Sequence, residues 1–308
     1  MAWLNNRITL AADWYLRNTK DLLATVPVPA GMTTTNSMTR NIGTLRNIGV
    51  EFNITARPIV TKDFTWTLGY NIGWNKNEIT ALTGSADEDK TFTLDAEGNP
   101  ASSSAGPIQV HKVGYPANSF YVLEQVYGPD GNPLEGVYVD QNGDGKIGNE
   151  DLVIKHSRDP KVTMAFNTSF NYKNWDFGFT LRASIGNYVY NAMRARMLNV
   201  SGMESQGNIL LNVLDSDFYF KSATGSTNLV RSDYFVENAS FVRCDNITVG
   251  YTWDNLLKDS LRLRLFGAVQ NPFVITKYRG LDPEVFSGVD NNAYPRPVTV
   301  SLGVVATF

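Results

Sequence analysis

The feature that constrains this chain most is a two-residue rhythm. In FTWTLGYNIGWN (64–75), Phe64, Trp66, Leu68, Tyr70, Ile72 and Trp74 share one parity, and Thr65, Thr67, Gly69, Asn71, Gly73 and Asn75 the other. Successive side chains of a strand leave on opposite faces, so this run spells one apolar face and one small, polar face. The rhythm recurs at 8–16, 48–57, 162–172, 175–190, 261–271 and 298–308. The stretch FVRCDNITVGYTW (241–253) breaks it, because Phe241 and Ile247 share parity with Arg243 and Asp245; a β-bulge there restores the pattern. With that strand included, the sequence predicts about eight.

Strand length and connection length point the same way. The runs 64–75 and 298–308 exceed the ~5–6 residues of an ordinary soluble strand and meet the roughly 9–11 that a tilted strand needs to cross a bilayer. Short connections at 58–62, 173–174 and 254–260 alternate with long ones at 21–40, 81–159, 191–238 and 272–296. Tight turns on one side and long loops on the other are the habit of membrane barrels. Tyr172, Trp175, Tyr251 and Trp253 stand beside short turns, where an aromatic girdle belongs, and the chain closes on Phe308. The expected fold class is therefore all-β, an antiparallel transmembrane β-barrel segment with long extracellular loops at about 81–159 and 191–238. The competing expectation is a soluble secreted all-β binding module whose apolar face packs on a core.

Composition narrows the partners. A net charge of −3 and no Lys/Arg run exclude nucleic acid. A single cysteine, Cys244, allows neither an internal disulfide nor a zinc set. The start, MAWLNNRITLAADWYL, has no secretory-signal pattern and enters directly into a strand, which predicts a chain that begins partway through a larger fold.

One motif has a defined chemistry. In DQNGDGKIGNED (140–151), Asp140, Asn142 and Asp144 stand at positions 1, 3 and 5 of a calcium loop, Lys146 offers its carbonyl at 7, and Asp151 stands at 12. Hard oxygen ligands at this spacing suit Ca2+, which would stiffen the long loop; the competing reading is a plain Asp/Asn/Gly surface turn. No catalytic set emerges, so no enzyme is expected. His111 and His156 are the only histidines and lie outside any ligand spacing, and Asp282 and Glu284 read as loop chemistry around Pro283. Tyr115, Phe120, Tyr121, Tyr127, Phe218, Tyr219 and Phe220 are loop aromatics that could stack on a sugar or pack against a partner, with packing on each other the plainer reading.

Three stretches carry a specific resemblance: LRNIGVEFNITARPIVTKDFTWTLGYNIGWNKNEI, FVENASFVRCDNITVGYTW and VQNPFVITKYRGLDPE. Within the last, Gln270, Asn271, Phe273, Thr276, Tyr278, Gly280, Asp282, Pro283 and Glu284 follow one family's pattern before its final strand, as does VGYPANSF (113–120) ahead of the DxNxDGxI loop. Over nearly the whole chain the sequence resembles the C-terminal barrel of the SusC/RagA-type TonB-linked (TonB-dependent) outer-membrane transporters. The resemblance implies a roughly 22-stranded barrel around a plug, capped by a SusD-like surface lipoprotein. It further implies import of oligosaccharide or peptide with energy passed from the TonB complex, and an outer-membrane location in contact with lipid. Nothing in the sequence resembles the plug or N-terminal domains of that family.

Overall fold

The computed structural model describes residues 2–27, 37–83, 93–95, 107–197, 231–256, 261–291 and 294–308. Eight long strands form one antiparallel sheet, numbered here β1 (Ile8–Pro27), β2 (Ser37–Val60), β3 (Phe64–Ala81), β4 (Val162–Tyr172), β5 (Trp175–Ile185), β6 (Phe241–Leu256), β7 (Leu261–Thr276) and β8 (Thr299–Thr307). Each pairs with its sequence neighbours, and a two-residue strand, Ala2–Trp3, begins the order beside β1. The order starts and ends on different strands, so among the described residues the sheet is an open wall. No described helix is long and apolar enough to cross a membrane.

The register joins the apolar parities of adjacent strands into one face. A row runs Trp66–Phe170–Phe177–Val249–Gly267–Leu302, and a neighbouring row Phe64–Tyr172–Trp175–Tyr251–Leu265–Val304. A one-residue slip between any pair would turn its apolar set to the opposite side, so the unbroken rows fix the pairing. The second row sits beside the tight turns at 61–63 and 173–174, as a girdle should. Its rings touch: Trp175 meets Tyr251 at 4.8 Å and Tyr251 meets Trp253 at 4.6 Å, both edge-on. The expected bulge is present: β5 pairs Thr180 with Asn246 but Leu181 with Cys244, leaving Asp245 extra. Cys244 is buried, as a small packed side chain should be.

This apolar face is uncovered. Trp14 is 67% exposed, Val300 69% and Leu302 84%, and Phe52, Trp175, Phe177, Val249 and Leu265 are exposed too. A soluble sheet buries such a face on a core. The soluble binding module is thereby disfavoured, since the wall offers water its most apolar surface.

Several boundaries differ from expectation. Strand extends into the connection expected at 21–40 from both sides: β1 continues to Pro27 and β2 begins at Ser37. β3 and β7 likewise run on to Ala81 and Thr276. These extensions lack the apolar alternation that marks the rest; that of β3 is covered locally by the long connections, with Ile79 buried with Leu82 against Ile42, Leu45, Val113 and Ala117. The strand expected over 175–190 stops at Ile185, since Gly186 takes φ +84° and the chain turns; Tyr188–Tyr190 then pairs separately with Val236–Asn238.

The buried core lies at the end of the long connections. Residues 81–159 contain a four-stranded sheet ordered Leu152–Ser157, Ser119–Leu123, Gln109–Lys112, Thr93–Asp95, and a hairpin of Gln125–Tyr127 with Pro133–Tyr138. Ile108, Phe120 and Val122 pack there with Tyr190, Phe235 and Val289, all almost wholly buried. The long connections thus fold on one another.

Candidate functional site: the polar face of the strand wall

The opposite parity of each strand builds the polar face. It is not uniformly small, for three aromatic rings lie on it. Tyr15 lies over Gly49 and donates its hydroxyl to Asn75 Oδ1 at 3.0 Å; a Cβ at position 49 would collide with that ring. Phe266 lies over Gly303 in the same way. Phe241 is flanked by the guanidinium groups of Arg182 and Arg243, at 5.7 and 5.5 Å from its centroid.

Around Phe241 is a network of charges. Arg182 of β5 forks to Glu284 (2.6 and 3.1 Å) and to Asp245 (3.1 and 3.3 Å). Arg243 of β6 donates to Asp282 at 2.6 Å, with both side chains buried. Arg296 reaches Asp282 at 3.1 Å and Glu284 at 2.9 Å. Burial works against the Glu284 carboxylate, but its hydrogen bonds to Arg182 and the charges of Arg182, Arg296 and Arg243 outweigh it, holding its pKa below the ordinary glutamate range. The bulge at Asp245 is what brings that carboxylate within reach of Arg182, as bulges re-aim side chains.

The consequence is a strap. Residues 277–291, between β7 and β8, are tied to the wall by these acids. Further along, Tyr278 donates to Asp290 at 2.7 Å, and burial together with that bond pushes its phenol pKa upward. The Ser287 carbonyl accepts from Gln109 Nε2 (3.1 Å) and Arg158 Nη1 (3.2 Å). Beside the strap lies a cavity of about 560 Å³ lined by Asn71, Thr163, Arg182, Glu284, Phe286 and Arg296, among others. Arg264 and Asp176 form a second bidentate pair (2.9 and 2.6 Å) towards the tight turns.

Sequence reading missed this network, treating Asp282 and Glu284 as turn chemistry. A signal was present: Arg182 and Arg243 are charged residues on the polar parity that stand opposite one another across one strand pair. The calcium-loop residues do occupy one turn. Asp140 accepts from Gly143 and Gly145 N–H (2.7 and 2.8 Å), Asn142 from Asp144 (3.0 Å), and Asp144 from Lys146 (2.8 Å). Buried Asp151 accepts from Gln141 (2.9 Å) and Gly148 (2.7 Å), and the Gly148 bond above all holds its pKa below the usual aspartate value. Among the described residues, no three His, Cys, Asp or Glu side chains gather as a ready metal set.

His111 accepts from Asn118 N–H at 3.3 Å, and His156 stacks on Tyr188. Of the loop aromatics, Phe120 belongs to the core, Tyr121 packs partly buried, and Tyr115 and Tyr127 are exposed. Phe218, Tyr219 and Phe220 lie outside the described residues.

No family model matches the chain. Among curated proteins, the TonB-dependent receptor SusC of Bacteroides thetaiotaomicron is 46% identical over 99% of this chain and 31% of its own length. The chain belongs to the SusC/RagA-type TonB-dependent receptors. The TonB-dependent receptor P3 of Formosa agariphila is 29% identical over 100% of the chain and 33% of its own length. The chain thus spans about a third of the length of these relatives. Two solved structures share the fold: the RagAB peptide transporter, with a TM-score of 0.75 at 22% identity over 98% of this chain and 34% of that one, and the RagAB peptide importer in its closed-closed state, with a TM-score of 0.77 at 22% identity over 99% and 34%. Receptors of the SusC/RagA type are outer-membrane β-barrels, and the uncovered apolar face is the lipid-facing wall. The relatives are named as receptors and transporters, not as enzymes.

Proposed function

We propose that this chain forms a barrel wall of an outer-membrane importer for glycans or other nutrients such as peptides. The long-connection end faces outward beneath a SusD-like surface lipoprotein, and uptake is driven by the TonB complex acting through the plug of the receptor. The observation that carries this reading is the two-faced sheet, with exposed aromatics and aliphatics on one side and a cavity with paired arginines and carboxylates on the other. A wall between lipid and an aqueous interior needs both faces and leaves the apolar one uncovered by protein, as it is here. Eight strands with open edges are stable in lipid only when their backbone groups are paired by further strands, since each unpaired group there costs several kcal/mol, roughly.

The test is uptake of labelled oligosaccharides and peptides by cells with and without the gene, combined with affinity purification of the receptor from outer membranes. Loss of uptake of at least one probe class and co-purification of a surface lipoprotein are expected. Unchanged uptake across both classes would overturn the importer reading.

For residues 140–151 we propose a stiffening role in the outward-facing end, with Ca2+ as the ion that the donor order suits. The support is that Asp140, Asn142, Asp144 and Asp151 all close onto one turn. Calorimetric titration should show saturable calcium binding that is lost in Asp140→Ala; absence of heat in the unmodified protein removes the ion from the account.

A further inference from the structure

We propose that the outer rim of the lipid-facing wall carries a binding site for the phosphate-bearing headgroup of an outer-leaflet lipid. The inference rests on the outward orientation of the long-connection end and adds a site on the lipid side of the wall. The register marks where the apolar band stops. Beyond the girdle row at Phe64, the lipid parity of β3, β4 and β5 is uncharged up to the row Trp14–Val50–Trp74–Val162–Ile185. From Phe64 to Trp74 the strand rises about 26 Å along the membrane normal, at ~3.4 Å per residue and a tilt of about 40°, which matches an apolar band of about 25 Å. The next rows of the same parity are Leu16–Ile48–Lys76 and Asn18–Arg46–Glu78. Charge thus enters this face just past Trp74, at the depth of lipid headgroups.

A cavity of about 500 Å³ opens at that level. Trp74 and Lys76 line it from the lipid parity, and Tyr115, His156, Lys161 and Tyr188 line it from beyond the strand ends. Trp74 and Tyr115 are exposed, and His156 stacks flat on Tyr188 with ring centroids 3.6 Å apart. Amphipathic rings of this kind settle at a membrane interface. Cations outnumber acids here. Arg46 and Lys76 share one carboxylate, Glu78, at 3.8 and 2.9 Å, and their side chains stay 43% and 59% exposed. Lys161 is exposed as well. Asp159, the carboxylate in the cavity wall, accepts from Asn77 Nδ2 at 2.6 Å and lies 3.8 Å from Arg158. The field is accordingly positive: burial lowers the His156 pKa, and the charges of Lys155 and Lys161 lower it further.

Excess positive charge selects an anion, and the place of the cavity selects a lipid over a solute. Acyl chains lie along Trp74, Val162 and Ile185 of the lipid-facing row, while the headgroup meets lysines whose stems run over apolar surface. The cavity exceeds what a bare phosphate fills and has room for a headgroup of sugar size.

The experiment titrates monophosphoryl lipid A and its dephosphorylated form into the detergent-purified full-length receptor, with binding read by native mass spectrometry. Wild type should bind the phosphorylated form at least about tenfold more tightly, the scale of one charge-assisted contact. The double variant Lys76→Gln, Lys161→Gln should lose about thirtyfold, the scale of removing two cations beside an anionic headgroup. Lys76→Arg with Lys161→Arg should stay within about threefold, because the charges remain. Lys173→Gln removes a cation that lies over Tyr172 at the opposite, tight-turn end, and should bind as wild type does. Equal binding of the two lipid forms, unchanged binding in the glutamine pair whatever its stability, or an equal loss in Lys173→Gln overturns the site. A thirtyfold loss in the arginine pair would assign the lysines to the fold and overturn it too. Displacement of lipid A by an equal concentration of glucosamine 1-phosphate would give the cavity to a soluble anion and remove the lipid. Orientation is read separately: Tyr115→Cys, in a Cys244→Ser background, should react with a membrane-impermeant maleimide on intact cells. No reaction would sink the outward orientation and the leaflet with it, whereas reaction without lipid A binding would sink the site alone.

Discussion

Truncating Arg243 to alanine leaves the Asp282 carboxylate with Arg296 as its only remaining cation and removes one of the two guanidinium groups flanking Phe241. Breaking a buried pair from one side costs about 3–5 kcal/mol, and the surviving Arg296 contact places the expected loss at the low end of that range. Hydrogen exchange across residues 277–291 should accelerate in Arg243→Ala and stay slow in the tight turn at 173–174. Equal protection in both proteins would show that the pair does not hold the strap. Acid should act through Glu284. Its pKa lies below the ordinary 4.5, so its contribution is present above that pH and is lost as pH falls through the lower, folded value. Protection of the strap, measured against the intrinsic exchange rate at each pH, should therefore be constant from neutral pH down to about 4.5 and fall below it. A loss of protection centred near pH 6 to 7 would implicate a histidine instead.

At the scale of a strand, parity decides what a substitution costs. Phe179 of β5 sits mid-strand in the row Leu68–Thr168–Phe179–Ile247–Val269–Val300, while its neighbour Thr180 faces the opposite side, paired with Asn167 and Asn246. Arginine on the lipid face near the midplane costs about 2–4 kcal/mol. Phe179→Arg should lose that much in a reversible denaturant titration in lipid, and Thr180→Arg should lose far less. Equal losses would mean that both faces meet the same solvent. The strands were legible in the sequence where one whole face is apolar, as in 64–75, and illegible in Met38–Gly43 and Lys76–Ala81, where only isolated residues such as Ile42 and Ile79 pack, and do so against the long connections. The bulge at Asp245 was legible because it broke a parity. Its use, to bring Asp245 to Arg182, was not, because the two meet across a strand pair from 63 residues apart in sequence.

The whole molecule joins a lipid-facing wall to a folded mass at the long-connection end. The alternation of short and long connections was readable from turn residues such as Lys173 and Asn174. The small core of Ile108, Phe120, Tyr190 and Phe235 was not, since its members come from connections with no common period. The strap escaped for the same reason, because its ties to Gln109, Arg158 and Arg182 come from three separate segments.

The central claim is that the apolar parity meets lipid and the polar parity meets water. Spin labels placed one at a time at residues 175–185, in a Cys244→Ser background and in outer membranes, test it most directly. Accessibility to oxygen should peak at Trp175, Phe177, Phe179 and Leu181, and accessibility to a water-soluble nickel chelate at Asp176, Gly178, Thr180 and Arg182. Nickel accessibility at both parities, or the reverse alternation, would contradict the account.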